Sequence, residues 1–123
     1  MNIEHVGVYA NDTEVLSIWY KHTLGMRETH RIEKAGRPPV VFLQGETGAI
    51  VEFLPTSELK RERALNCPGY SHLGIVVENI DQEIGRLAGL GVDVKGVRST
   101  SNGWTIGYFD DPEGNTLELI QRS

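Results

Sequence analysis

The chain contains a single cysteine, Cys67, among 123 residues. An internal disulfide framework is therefore excluded, and a reducing compartment fits. Cys67 precedes Pro68 with no histidine or cation beside it, so it reads as a partly buried small residue rather than a reactive thiol. No apolar run approaches the roughly 18 residues of a membrane span, and no charged-then-apolar leader opens the chain. A cytoplasmic protein with no membrane partner is expected. Basic residues are outnumbered 12 to 17, with a net charge of −5, so there is no basic stripe to displace counterions from nucleic acid. The densest basic stretch, "LKRERAL" at 59–65, carries its own glutamate and reads as a solvated connector. The triplet "NDT" at 11–13 has the form of a glycosylation acceptor, which means little without secretion. HExxH, CxxC, GxGxxG and a nucleophile elbow are all missing, which disfavours hydrolase and dinucleotide chemistry.

What is present is a repeat. "IEHVGVYAND" (3–12) aligns with "YSHLGIVVEN" (70–79), putting His5 on His72 and Gly7 on Gly74. "VVFLQGETGAIVEFL" (40–54) aligns with "TIGYFDDPEGNTLELI" (105–120), putting Gly48 on Gly114 and Glu52 on Glu118. Four matches at nearly one offset define two halves, about 1–54 and 70–123, joined by a linker over about 55–69 within one domain. Each half reads as β-α-β-β-β. A Val- and Tyr-rich alternating strand leads into a helix, striped by Val15, Ile18 and Trp19 in the first half and by Ile80, Ile84 and Leu87 in the second. The first helix ends near Leu24-Gly25, and "GLG" at 89–91 closes the second. The expected fold is α+β: two βαβββ repeats forming a curved eight-stranded mixed sheet around a metal-binding cavity, with the helices on the outer faces.

Alternation along the strands sorts the side chains. Val6, Val8, Leu73 and Ile75 take the helix side, as do Val51, Phe53, Leu117 and Leu119. His5, Glu52, His72 and Glu118 are left on the opposite face, with Gly7 and Gly74 keeping it clear. Singly, a strand histidine is most often a hydrogen-bonded core residue and a strand glutamate usually faces solvent. A carboxylate among apolar strand neighbours is costly unless paired or bound to a cation, and here the arrangement occurs twice. Two imidazoles and two carboxylates form a mixed N/O set suited to one divalent ion, Ni, Co, Zn, Fe or Mn. His22 and His30 have no counterpart in the other half and read as surface or helix-end residues.

"HVGVYANDTEVLSIWYKHTLGM" and "FDDPEGNTLEL", within repeated β-α-β-β-β units, resemble the vicinal oxygen chelate superfamily of glyoxalases, bleomycin-resistance proteins and ring-cleaving dioxygenases. The order His5, Glu52, His72, Glu118 is similar to the short bacterial glyoxalase I type. That resemblance implies a nickel- or cobalt-preferring lyase that converts a thiol adduct of methylglyoxal to a lactoyl thioester through an enediolate. It implies Glu118 as the base, with Glu52 the symmetric alternative, and a homodimer whose sites can draw ligands from both chains. A metal-dependent epimerase and a non-catalytic, resistance-type binder of small ligands are the alternatives. Glutathione-using members carry arginine four residues after the first ligand and asparagine four after the second. Tyr9 and Thr56 stand there instead, so the glutathione grip does not carry over, and these two residues with Trp104 are the candidate substrate contacts. For Trp104, a core or rim aromatic is the commoner role.

Overall fold

The alternation at the start of the chain forms a strand in the computed structural model of the protein, which describes residues 1–64 and 66–123. These fall into two units, Met1–Glu62 and Arg63–Ser123. The first contains β1 (His5–Ala10), α1 (Thr13–Leu24), β2 (Arg27–Ile32), β3 (Val40–Gln44) and β4 (Ile50–Pro55). The second repeats that order with β5 (Leu73–Val76), α2 (Ile80–Gly89), β6 (Lys95–Ser99), β7 (Thr105–Asp110) and β8 (Thr116–Gln121). The sheets run β1-β4-β3-β2 and β5-β8-β7-β6. Within each, the first strand lies parallel to the last and the other neighbours are antiparallel. The eight strands therefore form two four-stranded mixed sheets, which corrects the single eight-stranded sheet expected from the sequence. The physical reason is that each leading strand finds its hydrogen-bond partner in the closing strand of its own unit.

The first helix is capped as its sequence requires. The Asp12 side chain accepts from the Val15 N–H at 3.0 Å, and Gly25, at φ 68°, ends the helix with its N–H on the Lys21 carbonyl. Its buried stripe is displaced from the expected one. Leu16, Tyr20, Thr13, Ser17 and Thr23 are buried, whereas Val15 and Ile18 are 57% and 44% exposed. Small polar residues won that face because they let the helix approach β3 and β4: Thr13 Oγ1 donates to the Pro39 carbonyl at 2.6 Å, and the Tyr20 ring meets Phe53 at 4.9 Å. A count of apolar residues cannot see a stripe built on threonine and serine. On α2 the expected stripe holds, with Ile80 and Leu87 buried and Ile84 half-buried. Asn79 caps the N-terminus through the Gln82 N–H, and Gly91 (φ 81°) follows Leu90 at the other end.

Under the helices lie Val41, Leu43, Val51 and Phe53 in the first unit and Phe109, Leu117 and Leu119 in the second. Gly107 is required by packing, since a Cβ there would stand 2.7 Å from Val94 Cγ1 and 3.2 Å from Val97 Cγ2. Between α1 and β2, Arg31 makes two hydrogen bonds to Glu14 (2.7 and 3.0 Å) and also binds Glu28, which Lys21 contacts at 2.8 Å. After β4 the Asn11 amide donates to the carbonyls of Thr56 and Glu58, so the residue in the glycosylation-like triplet serves as a loop tie. Arg63 gathers the carbonyls of Cys67, Pro68 and Tyr70. Cys67 itself is exposed, contrary to the expected partial burial, because it sits on this small turn rather than against a sheet. Residues 59–64 of the basic stretch are exposed, and its last member, Leu65, lies outside the described residues. Neither helix is long and apolar enough to cross a membrane.

Candidate metal centre

Strand pairing brings one histidine to one glutamate in each unit. Gly7 of β1 is the register partner of Glu52 in β4, and Gly74 of β5 is the partner of Glu118 in β8. His5, two residues before Gly7, places Nε2 3.6 Å from Glu52 Oε1. His72, two residues before Gly74, places Nε2 3.2 Å from Glu118 Oε2. Val51 and Phe53 on either side of Glu52 are buried, as are Leu117 and Leu119 beside Glu118, so both carboxylates turn away from the helices. Their side chains remain 18% and 13% exposed, and those of His5 and His72 are more open at 47% and 32%. Each unit thus holds one His–Glu contact; among the described residues no group of three or more His, Cys, Asp or Glu stands together as a metal site.

The histidines are also held from behind. His5 Nδ1 lies 2.9 Å from Glu4 Oε1, and His72 Nδ1 lies 2.9 Å from Ser71 Oγ. A carboxylate can only accept, so the Glu4 contact puts a proton on Nδ1 of His5. A neutral ring then turns its Nε2 lone pair toward the Glu52 oxygen. That juxtaposition is repulsive unless a cation lies between them or the ring takes a second proton.

Gly7 keeps the first carboxylate's surroundings clear: a Cβ there would meet Leu54 Cδ1 at 3.2 Å and Glu52 Oε1 at 3.9 Å. Gly74 has no such neighbour within 4 Å, so the expected clearing role applies to Gly7 and not to Gly74 among the described residues. Across each sheet the register continues the row. Glu52 pairs with Phe42 and Phe42 with His30; Glu118 pairs with Tyr108 and Tyr108 with Lys95. His30, read as an ordinary surface residue, remains exposed but occupies the glutamate's row, with its ring 5.6 Å from Phe42. His22 is exposed in the last turn of α1.

Tyr108 is the residue that sequence reading missed. It faces Glu118 across the sheet, and the Glu118 carboxylate, with burial, holds the phenol above its ordinary pKa. Its ring meets His72 edge-on at 5.5 Å. The available signal was spacing: Tyr108 precedes Glu118 by ten residues, as Phe42 precedes Glu52.

The "DDPEGN" stretch builds the turn that leads into Glu118. The buried Asp111 carboxylate accepts from the N–H groups of Glu113 (2.9 Å) and Asn115 (3.0 Å) and from Asn115 Nδ2 (2.8 Å). Gly114, at φ 80°, closes it with its N–H on the Asp111 carbonyl. Of the candidate substrate contacts, Tyr9 is 69% exposed at the end of β1, on the side of His5 and Gly7. Thr56 is tied into the loop after β4, its N–H on the Ala10 carbonyl and its hydroxyl accepting from Glu58 N–H. Trp104 is half-buried, and the Arg122 guanidinium lies over its ring at 4.4 Å.

With this geometry in hand, comparison with known proteins is informative. No curated protein matches the chain. Among solved structures it is similar to lactoylglutathione lyase from Agrobacterium tumefaciens, at 21% identity and TM-score 0.72 over 97% of this chain and 92% of that one. It is also similar to a glyoxalase family protein from Enterococcus faecalis, at 22% identity and TM-score 0.81 over 96% and 95% of the two chains. A third similar structure is TnmS3, an antibiotic binding protein from Streptomyces sp. CB03234, at 21% identity and TM-score 0.77 over 100% and 97%. At these identities the likeness concerns the fold. The family model for glyoxalases, bleomycin resistance proteins and dioxygenases matches residues 2–119, nearly the whole chain. The chain therefore belongs to the Glyoxalase/Bleomycin resistance protein/Dioxygenase superfamily.

Proposed function

We propose that the protein is a metal-dependent lyase or isomerase of the glyoxalase I type. It would act in a single-domain chain on a small α-oxoaldehyde–thiol adduct, with His5, Glu52, His72 and Glu118 holding one divalent ion. The observation that carries this reading is the duplicated His–Glu pair. Two donors bound at about 2.0–2.2 Å to one ion lie about 3.0 Å apart at a right angle and about 3.4 Å apart at the tetrahedral angle. The observed separations of 3.2 and 3.6 Å are close to those edges. The Nδ1 contacts from Glu4 and Ser71 support it further, since a metal-binding imidazole ordinarily gives its second nitrogen to such a partner. The nitrogen and oxygen donors suit nickel or cobalt, with zinc, manganese and iron also compatible.

When bound, such an ion would supply Lewis-acid polarisation of the substrate's adjacent oxygens. The chain's own residues account for the proton. One glutamate takes it from the hydroxyl-bearing carbon and returns it to the neighbouring carbonyl carbon while the hydroxyl proton passes to the former carbonyl oxygen, so the reaction is an isomerisation with no oxidant. The two histidines serve as ligands and transfer no proton in this scheme. Tyr9 and Thr56, with Trp104, stand as the candidate substrate contacts, and the absence of arginine and asparagine at the first two favours a thiol other than glutathione. Each unit contributes half of the donor set, which supports a homodimer in which a site can draw on two chains.

The test is an assay of the metal-loaded protein with methylglyoxal and a panel of thiols. Thioester formation with at least one thiol is expected. Stoichiometric metal with no turnover on any thiol would leave an epimerase on the same centre. A protein that binds no metal and retains a small apolar ligand would be a binder, the role named for TnmS3.

A further inference from the structure

Strand alternation in the second unit collects positive charge on the face turned away from its helix. Val97 of β6 turns toward Gly107, on the side of the buried Phe109, so its neighbour Arg98 turns to the opposite, open side. The register agrees: Arg98 pairs with Ile106 of β7, and Ile106 with Ile120 of β8. Arg122, two residues after Ile120, folds its guanidinium over the Trp104 ring, 4.4 Å from the ring centre. Trp104 stands just before β7 and is fixed by Thr100, whose N–H donates to the Trp104 carbonyl at 2.8 Å and whose hydroxyl accepts from the Trp104 N–H at 3.1 Å. Both arginines therefore stand against the start of β7, and both are exposed. Neither forms an ion pair among the described residues, whereas Arg31 and Arg86 are each held by carboxylates. The carboxylates of this face lie away from them: Glu118 is one row further along, opposite Tyr108, and Asp110 a row beyond that, opposite Thr116.

We propose that Arg98 and Arg122 form a carboxylate-binding site, with Trp104 and Ile120 receiving the apolar chain that carries the carboxylate. Two planar guanidinium forks match a carboxylate, and the aromatic and aliphatic neighbours favour an organic acid over a bare inorganic anion. Strand spacings of about 4.8 Å and a two-residue rise of about 6.7 Å put the Arg98 backbone about 12 Å from that of Glu118 on the same sheet. An arginine side chain and a short acid chain cover that span together. The site follows from the second unit alone. Its use in the reaction rests on the lyase reading above, and there it names the thiol as a short thiol acid whose carboxylate is held at the far end from Glu118.

The experiment titrates the protein calorimetrically with S-benzyl-3-mercaptopropionate and with its neutral amide. Wild type, Arg98→Gln, Arg122→Gln, the double variant, Trp104→Leu and the control Arg86→Gln are compared, each checked by circular dichroism. The acid is expected to bind about tenfold tighter than the amide, and the double variant to erase that preference. Trp104→Leu should weaken acid and amide alike, and Arg86→Gln should bind as the wild type does. In turnover of methylglyoxal adducts, 3-mercaptopropionate should exceed 2-mercaptoethanol about tenfold in kcat/KM, and the ratio should fall toward one in the double variant. No binding of the acid, equal affinity for acid and amide, or a preference kept in the double variant would overturn the site, whatever the turnover. A charge preference that the double variant erases, with no turnover of either thiol, would uphold the site and take down its use in a lyase.

Discussion

Replacing Asp111 should cost the protein more stability than any other single change at its surface turns. The carboxylate is 4% exposed and accepts from the backbone N–H groups of Glu113 and Asn115 and from the Asn115 side-chain amide. Hydrogen bonds to a charged group are worth about 1.5–3 kcal/mol each, and a buried donor left without a partner adds its desolvation cost. Glu113 and Asn115 are only half-buried, so water can recover part of that loss. Asp111→Ala should therefore lose about 3 kcal/mol. Asp111→Asn keeps one oxygen for the two backbone donors but turns an amide toward Asn115, and should lose about 1 kcal/mol. Urea unfolding followed by tryptophan fluorescence reads this directly, in a Trp19→Phe background so that Trp104 of the same unit reports. Equal stability in Asp111→Ala and the wild type would refute the reasoning. Equal damage from alanine and asparagine would show that the hydrogen bonds are not its basis.

Other expectations follow from the same geometry. Arg31 first and Lys21 second pull Glu28 down from 4.5 to about 2, so its contribution is full above pH 4.5 and is lost as pH falls toward 2. That shift corresponds to at most roughly 3 kcal/mol, and partial exposure reduces it to about 1 kcal/mol. Glu28→Gln should accordingly flatten the unfolding free energy between pH 5 and 3, relative to wild type, in urea titrations; parallel curves would contradict the ion-pair account. On α1, Leu16→Ala should cost about 2–4 kcal/mol and Val15→Ala less than about 0.5 kcal/mol. The reverse order in thermal or urea unfolding would restore the stripe read from apolar spacing. Phe53→Ala, at the Tyr20 contact under the helix, should cost about 3–5 kcal/mol in the same measurement.

The order β-α-β-β-β in each half was legible because strand alternation, Asp12 and Asn79 as caps, and the glycines at 25 and 91 are local signals. The pairing of His5 with Glu52 and of His72 with Glu118 followed from duplication and the period of two. What failed was non-local. The face of α1 is set by how closely Thr13 and Ser17 let it approach the sheet, which no hydrophobic count contains. The closure of each sheet on its own first strand is a choice among pairings that alternation leaves open. Tyr108 was invisible because its meaning comes from the register with Glu118, although its ten-residue spacing matches that of Phe42. The exposure of Cys67 depends on the turn that Arg63 assembles around three carbonyls, and sequence alone does not announce that turn.

The central claim is that the two His–Glu pairs serve one divalent ion, and nickel titration of the metal-free chain tests it most directly. The account predicts one ion per chain, with affinity falling sharply in His5→Ala and in His72→Ala alike, since each removes one donor from a shared set. Absence of stoichiometric binding would contradict it, as would full affinity retained after either histidine is removed.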